Sequence, residues 1–269
     1  MVIKIFKYII LGIIQGFTEP IPISSSGHLV IIKNIFKLDN LNDINFEIIV
    51  NFGSFIAVLF FYRKEIINLI KDSFMYLKTK NTEYKANYNY VWKIVIGTIP
   101  AGIFGLILKD KIDLLSNNVK LIGIALLITS ILLYLIHDFK GIKGKKDITI
   151  KDAFIIGLFQ VLALFPGISR SGATITGGMF RNLKKEEALK YSFMLYLPIS
   201  VATIILGLKD LVNTQNINNF ILPYLIGMIF SIIFTYLSLK WFINIMKKGK
   251  LLYFSIYCFI VGILVILFI

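Results

Sequence analysis

Charge is scarce in this chain. Asp, Glu, Lys and Arg make up 16% of its 269 residues, where soluble domains carry about 25%. Hydrophobic residues reach 57% and the mean hydropathy is +0.79, above the roughly 45–50% apolar content of soluble domains. That deficit excludes an ordinary water-soluble fold. Cysteine is rarer still: Cys258 stands alone, so an internal disulfide and a cysteine-rich zinc site are both excluded. Only two histidines are present, His28 and His137. The opening run MVIKIFKYIILGIIQG imitates a signal peptide, with Lys4 and Lys7 ahead of an apolar stretch, but no small-x-small cleavage site follows, and the run is expected to be retained.

What is present is a series of apolar runs near or above the ~20 residues that cross a bilayer. The expected fold is an all-α polytopic membrane protein, one integral domain over residues 1–269. Spanning helices are predicted at roughly 44–62, 91–109, 119–137, 187–208, 220–241 and 250–269, with a polar surface helix between Arg63 and about Asn89. Two further segments are interrupted. The run 1–18 stops at Glu19-Pro20-Ile21-Pro22, because a residue before proline is pushed out of the α region, and a short helix restarts at Ser24 and runs to about Phe36. Residues 151–164 stop at Phe165-Pro166-Gly167 and restart as 172–183. Two short helices around a polar break predict a re-entrant hairpin, tolerated where the break is buried in protein or lines a cavity.

The two breaks are related. Shifted by 145, Gly12, Gln15, Ile23, Ser24, Ser26 and Gly27 fall on Gly157, Gln160, Ile168, Ser169, Ser171 and Gly172, six identities in sixteen positions. Three predicted spans, an odd number, separate the copies, so the second enters from the opposite side. The expectation is an inverted-topology repeat, with repeat 1 at about 1–137 and repeat 2 at about 151–269, whose breaks meet near the midplane. Cations fall 20 on one predicted side and 8 on the other (Lys4, Lys7, Lys33, Lys37, Lys109, Lys111, Lys120, Lys209), with Arg170 left in the break. The positive-inside rule makes the richer side cytoplasmic and both termini external. Topology thus accounts for the net charge of +14, and no nucleic-acid partner is expected.

Chemistry concentrates at the breaks. An arginine near mid-membrane depth costs about 2.5–3.5 kcal/mol on insertion scales, so Arg170 needs a partner. Ser169 or Ser171 can cap the helix that follows Pro166-Gly167, and arginine beside a helix N-terminus is an anion site suited to phosphate. Ser169, Ser171 and Thr174 add hydroxyls, and Gly172 and Ala173 add backbone N–H groups. Gln15 and Glu19, four apart, share a helix face. Glu19 is a carboxylate in an apolar segment, a functional candidate whose bland alternative is an ion pair with Arg170. His28, in the first turn of the restarted helix, suits a general base or nucleophile; its bland alternative is a hydrogen bond to backbone. Of Ser24, Ser25 and Ser26, one caps the helix and another faces substrate. In the repeat, Ser25 aligns with Arg170 and Glu19 with Leu164. One hairpin is thus expected to supply base and nucleophile, and the other the phosphate clamp. Glu19, with Gln15 and phosphate oxygens, suits a hard divalent cation, Mg²⁺ or Ca²⁺, shared with substrate.

The stretches QGFTEPIPISSSGH and PGISRSGAT resemble the two signature regions of the bacterial undecaprenyl-diphosphate phosphatase (bacitracin-resistance) family, and the similarity extends along the whole chain. The resemblance implies six spanning helices plus two re-entrant hairpins. It also implies metal-dependent hydrolysis of undecaprenyl diphosphate to the monophosphate, recycling the lipid carrier for cell-wall synthesis, from a multi-pass plasma-membrane protein. An active site open to the outer face and a homodimer are implied too. By position it assigns Glu19, Ser25, His28 and Arg170 to catalysis, and Gln15, Ser24, Ser26, Gly27, Ser169, Ser171, Gly172, Ala173 and Thr174 to substrate. The family's first acidic position is Gln15 here, which shifts the metal-binding weight onto Glu19.

Two rivals share these features. A polyprenyl-phosphate flippase or anion transporter would also be built on broken helices in inverted repeats. A histidine-nucleophile lipid phosphatase of the phosphatidic-acid type would need a second histidine six residues after the arginine, where this chain has Thr176, and is rejected.

Overall fold

The computed structural model describes residues 2–36, 44–115, 118–212 and 220–269. Lys37 lies outside the described residues, as do the side chains of Lys4 and Lys209. The described residues form eleven α-helices: α1 (Val2–Thr18), α2 (Ser25–Ile35), α3 (Ile44–Phe61), α4 (Arg63–Thr79), α5 (Thr82–Leu115), α6 (Val119–Ile136), α7 (Ile150–Leu162), α8 (Arg170–Phe180), α9 (Lys185–Val212), α10 (Ile221–Lys247) and α11 (Leu252–Phe268). No strand is present among them, only a single bridge between Lys143 and Leu183. By length and hydropathy four helices can cross a membrane, α5, α6, α9 and α10, or five if the bent pair α3 and α4 counts as one span. The 11 residues of α2 and of α8 make rods only ~16 Å long, about half a hydrocarbon core of ~30 Å.

Most element boundaries fall within a few residues of the sequence expectation. The polar stretch after α3 differs. It was expected as one surface helix up to about Asn89, but it turns at Lys80, which caps α4 in the left-handed conformation with φ 56°. Asn81 then accepts a hydrogen bond from the Glu83 N–H at 3.0 Å. From Thr82 the chain runs straight through the amphipathic residues into the apolar span, because nothing between them breaks a helix. The result is a 34-residue α5 that carries Pro100 inside it.

Close approach of backbones holds the broken segments. A Cβ on Gly12 of α1 would land on the Gly227 carbonyl oxygen of α10, and one on Gly157 of α7 would land on the Gly97 carbonyl oxygen of α5. Where the surrounding lipid is as apolar as the side chains, such small-residue contacts drive helix association. Hydroxyls reinforce the α3–α10 seam: Thr235 Oγ1 donates to Ser54 Oγ at 2.9 Å, and Ser231 Oγ donates to the Val50 carbonyl at 2.7 Å.

At the end of the molecule where the cations cluster, Asp152 is fully buried in the capping box of α7. Its carboxylate takes Lys143 at 2.9 Å, Arg181 at 2.7 Å and the Thr149 N–H at 2.9 Å. Burial alone would push its pKa up, but these donors outweigh it and bring the pKa down to about 2. A carboxylate depressed below its ordinary ~3.9 contributes stability that is present above pH ~4 and lost as pH falls through its folded pKa, here worth about 2 kcal/mol. In detergent, the wild type should therefore melt well above Asp152→Asn at pH 5, and the gap should narrow towards pH 2. A gap independent of pH would contradict the ionised hub.

Candidate active site

Both breaks are shaped by local sequence before tertiary structure acts on them. In the first, Thr18 Oγ1 donates back to the Ile14 carbonyl at 2.6 Å, closing the last turn of α1. The two prolines then stop the helix. Ser24, at φ 68°, caps α2 by accepting from the Gly27 N–H at 3.3 Å. In the second, Gly167 takes φ 93°, and Ser169 caps α8 by accepting from the Gly172 N–H at 3.1 Å. The hydroxyl pairs Ser24–Ser26 and Ser169–Ser171 lie at 3.5 and 3.2 Å.

Tertiary structure then lays one break across the other. A Cβ on Gly27 would sit 3.3 Å from the Gly167 Cα, and one on Gly172 would sit 3.4 Å from the Pro22 Cβ. Positions 22 and 167, like 27 and 172, are 145 apart, so the contact is reciprocal between the two copies. Ser171 Oγ also donates to the Ile21 carbonyl at 3.3 Å. From behind, Thr129 of α6 accepts the Ser169 N–H at 3.1 Å.

Glu19 is the centre of the crossing. One carboxylate oxygen takes the Arg170 guanidinium, and the other takes the Ser25 hydroxyl together with the Gln15 amide at 2.9 Å. Glu19 is 6% exposed and Arg170 28%, so the pair is largely withdrawn from solvent with one side open. Arg170 also lies 4.2 Å over the Tyr196 ring, a cation–π contact. The structure thus brings Gln15, Glu19, Ser25 and Arg170 into one hydrogen-bonded chain.

His28 stands apart from that chain. Its Nδ1 bonds the Ser24 carbonyl at 2.7 Å, and its Nε2 lies 2.8 Å from the Tyr257 hydroxyl. A carbonyl only accepts, so Nδ1 carries the proton and Nε2 takes the tyrosine hydrogen. His28 touches none of Gln15, Glu19, Ser25 or Arg170 by hydrogen bond. Other expected substrate residues are already engaged within the protein. The Gly172 N–H goes to the Ser169 hydroxyl and the Ala173 N–H to the Ser169 carbonyl. Thr174 bonds the Arg170 carbonyl at 2.8 Å and Ser192 at 2.6 Å. The N–H groups that a helix start leaves unpaired belong here to Arg170 and Ser171, two residues earlier than the sequence reading places them. Ser26 is exposed, while Ser24, Gly27, Ser169 and Ser171 are buried.

Several residues were missed. Asn51 accepts from Gln15 at 2.6 Å; an amide inside an apolar span was a signal that could have found it. Tyr196, Tyr257 and Thr129 gave none, since aromatics and threonine are ordinary in apolar helices. Gln160, the repeat counterpart of Gln15, is buried with neither amide atom partnered among the described residues. Its equivalent of Glu19 is Leu164.

No cluster of three or more His, Cys, Asp or Glu exists among the described residues. The oxygen donors at the crossing are the carboxylate of Glu19, the amide oxygens of Gln15 and Asn51, and hydroxyls. One carboxylate whose charge is met by Arg170 is too little for a cation held by protein alone. It fits one shared with phosphates, as Mg²⁺ commonly is.

A family model described as bacitracin resistance protein BacA matches residues 8–264. Undecaprenyl-diphosphatase 1 of Bacillus cereus is 47% identical over 264 residues, covering 98% of this chain and 97% of that protein. Undecaprenyl-diphosphatase 1 of Bacillus licheniformis is 46% identical over 265 residues, covering 98% of each. The undecaprenyl-diphosphatase of Oceanobacillus iheyensis is 42% identical over 266 residues, covering 98% and 96%.

Breaking a withdrawn ion pair from one side strands the other charge, at about 3–5 kcal/mol. Arg170→Met should therefore lower thermal stability in detergent sharply, and Glu19→Gln combined with Arg170→Met should recover most of the loss. A single variant as stable as the wild type would show that neither charge depends on the other.

Proposed function

The chain belongs to the bacitracin resistance protein BacA family, and from that premise we propose that it hydrolyses undecaprenyl diphosphate to undecaprenyl phosphate and inorganic phosphate, returning the lipid carrier to cell-wall synthesis. The observation that carries the reading is the chain Arg170–Glu19–Ser25: an anion-binding guanidinium, a carboxylate and a hydroxyl in direct contact where two helix N-termini meet.

In this mechanism the diphosphate competes with Glu19 for Arg170. Both partners are anions, but the phosphates present more oxygens to the guanidinium fork. They also meet the unpaired N–H groups of Arg170 and Ser171 and the positive end of α8. Drawing Arg170 towards phosphate frees Glu19 to accept the Ser25 proton. Ser25 Oγ bonds to the terminal phosphorus as the bond to the bridging oxygen breaks, and undecaprenyl phosphate leaves. Glu19 passes the Ser25 proton to solvent as the undecaprenyl phosphate departs. Water then attacks the phosphoserine, and Glu19 takes the water proton and hands it to Ser25 Oγ as the Oγ–phosphorus bond breaks. Inorganic phosphate leaves with Glu19 and Ser25 restored. Arg170 and the α8 N-terminus stabilise the charge on the equatorial oxygens throughout. His28, locked as the Nδ1–H tautomer, orders the first turn of α2 beneath Ser25. A divalent cation, Mg²⁺ or Ca²⁺, would be held by Glu19 and Gln15 with the diphosphate, and would neutralise phosphate charge.

The layout belongs to the same proposal. We read α1–α2 and α7–α8 as re-entrant hairpins and α3, α5, α6, α9, α10 and α11 as six spans. The two halves form an inverted repeat, with both termini outside and the site open to the outer face. The reciprocal crossing of the breaks supports this, as do the paired contacts Gly12–Gly227 and Gly157–Gly97 and the cation asymmetry.

Purified protein in detergent should release phosphate from undecaprenyl diphosphate, and EDTA should suppress the release. Arg170→Ala and Glu19→Gln should each lose roughly a thousandfold in rate or more, by analogy with removal of a group that stabilises transition-state charge. Acid quenching of the wild type with substrate labelled in its terminal phosphate should leave label on Ser25. Release by a folded protein without such label would transfer the attack to water. No release at all would overturn the phosphatase reading and direct the next assay to lipid transport in liposomes.

A further inference from the structure

A second charged site lies away from the crossing of the breaks, at the C-terminal end of α3. A cleft of about 520 Å³ opens where α3 gives way to α4, against the start of α9 and the end of α10. Arg63, Lys64, Lys190 and Lys247 line it with Glu65 and Glu186. Glu65 is already matched inside the protein, by Lys145 at 2.6 Å and Lys190 at 3.0 Å. Burial alone would raise its pKa, but those two lysines outweigh it and hold the carboxyl below its ordinary range. Arg63 is turned back, donating to the Phe60 carbonyl at 2.8 Å and stacking over the Phe60 ring. Lys64 and Lys247 are exposed, and no ion pair or hydrogen bond engages either among the described residues. The cleft thus offers two uncommitted ammonium groups beside an apolar wall that includes Phe61 and Ile243.

The adjoining helix shows what environment this end of the molecule meets. α4 is bent 72° from α3, so when α3 crosses the bilayer α4 lies close to the membrane plane. Along α4, Ile67, Ile70, Phe74 and Leu77 are more than half exposed. Spaced by three and four, they form one apolar stripe, while Leu69 on another face is buried. An amphipathic helix with an exposed apolar stripe and flanking lysines sits in the headgroup layer.

We infer that the cleft between α3, α4, α9 and α10 binds the phosphate of an anionic glycerophospholipid, gripped by Lys64 and Lys247 with the acyl chains beside Phe61 and Ile243. Free phosphate would satisfy the lysines alone. The apolar wall and the interfacial α4 favour a lipid, which supplies charge and hydrocarbon together. The inference does not depend on the chemistry at Glu19.

The test is native mass spectrometry of the full chain from micelles doped with equal dioleoyl phosphatidylglycerol and dioleoyl phosphatidylcholine. The wild type should retain phosphatidylglycerol preferentially, and millimolar inorganic phosphate should leave that preference intact. Lys64→Gln with Lys247→Gln should weaken phosphatidylglycerol retention about thirtyfold, as loss of two headgroup contacts implies. Lys78→Gln, on α4 but outside the cleft, should change nothing. Equal retention of the two lipids, an undiminished preference in the folded double variant, or displacement by inorganic phosphate would each overturn the site. If the double variant fails to fold, each single variant should show a partial loss, and its absence from both would be equally decisive.

Discussion

The Glu19–Arg170 ion pair is the constraint to which the rest of the molecule answers. Each charge alone would be untenable in an apolar helix bundle, and the two lie 151 positions apart in the chain. Bringing them together requires two helices that each stop short and restart, and a way to satisfy the backbone groups exposed where they stop. The capping serines, the back-bonded Thr18 and the support from Thr129 all serve that second need. The glycine contacts of α1 with α10 and α7 with α5 serve the first, by letting short helices without membrane-spanning length pack tightly enough to stay in place.

A pair placed this way is poised for exchange. A buried ion pair is a weak source of stability compared with an apolar replacement, so its presence calls for another reason. Here the carboxylate also holds Ser25 and Gln15, and the guanidinium keeps one side open. In the reaction proposed above, an arriving anion takes over Arg170, and the carboxylate then acts on the hydroxyl it already touches. Positioning and proton transfer become linked through one residue. On the two proposals made above, phosphate would be met in different ways: at the crossing by a guanidinium and helix termini, and at the cleft by flexible lysines among apolar side chains.

The two copies of the break explain much of what could be read from residues alone. Gly12, Gln15, Ser24, Ser26 and Gly27 announced their counterparts by identity, and the prolines, glycines and serines are local signals that stop and restart helices wherever they occur. Glu19 and Arg170 were legible because a charge in an apolar run is costly. His28 was legible as a polar residue but not as to its partners. The sequence reads it as a general base or nucleophile, or else as an imidazole bonded to backbone; its ring meets the Ser24 carbonyl and Tyr257, a residue 229 positions away. Gly172, Ala173 and Thr174 were read as donors to substrate, yet capping and helical bonding use their groups internally. Lys80, whose left-handed turn divides α4 from α5, carried no warning of that role.

By itself, then, the amino-acid sequence determined the membrane environment, the helical class, the places where helices break, and the residues too polar to be there without purpose. Those properties follow from local hydropathy, backbone sterics and the cost of unpaired charge, all of which act within a few residues. Only the tertiary structure decided that Glu19 holds Ser25, Gln15 and Arg170 together, that Asn51 and Tyr196 complete their surroundings, and that His28 turns to Tyr257. Hydrogen bonds are directional and short. Which of several nearby polar groups meet depends on helix crossings that no local stretch of the chain specifies.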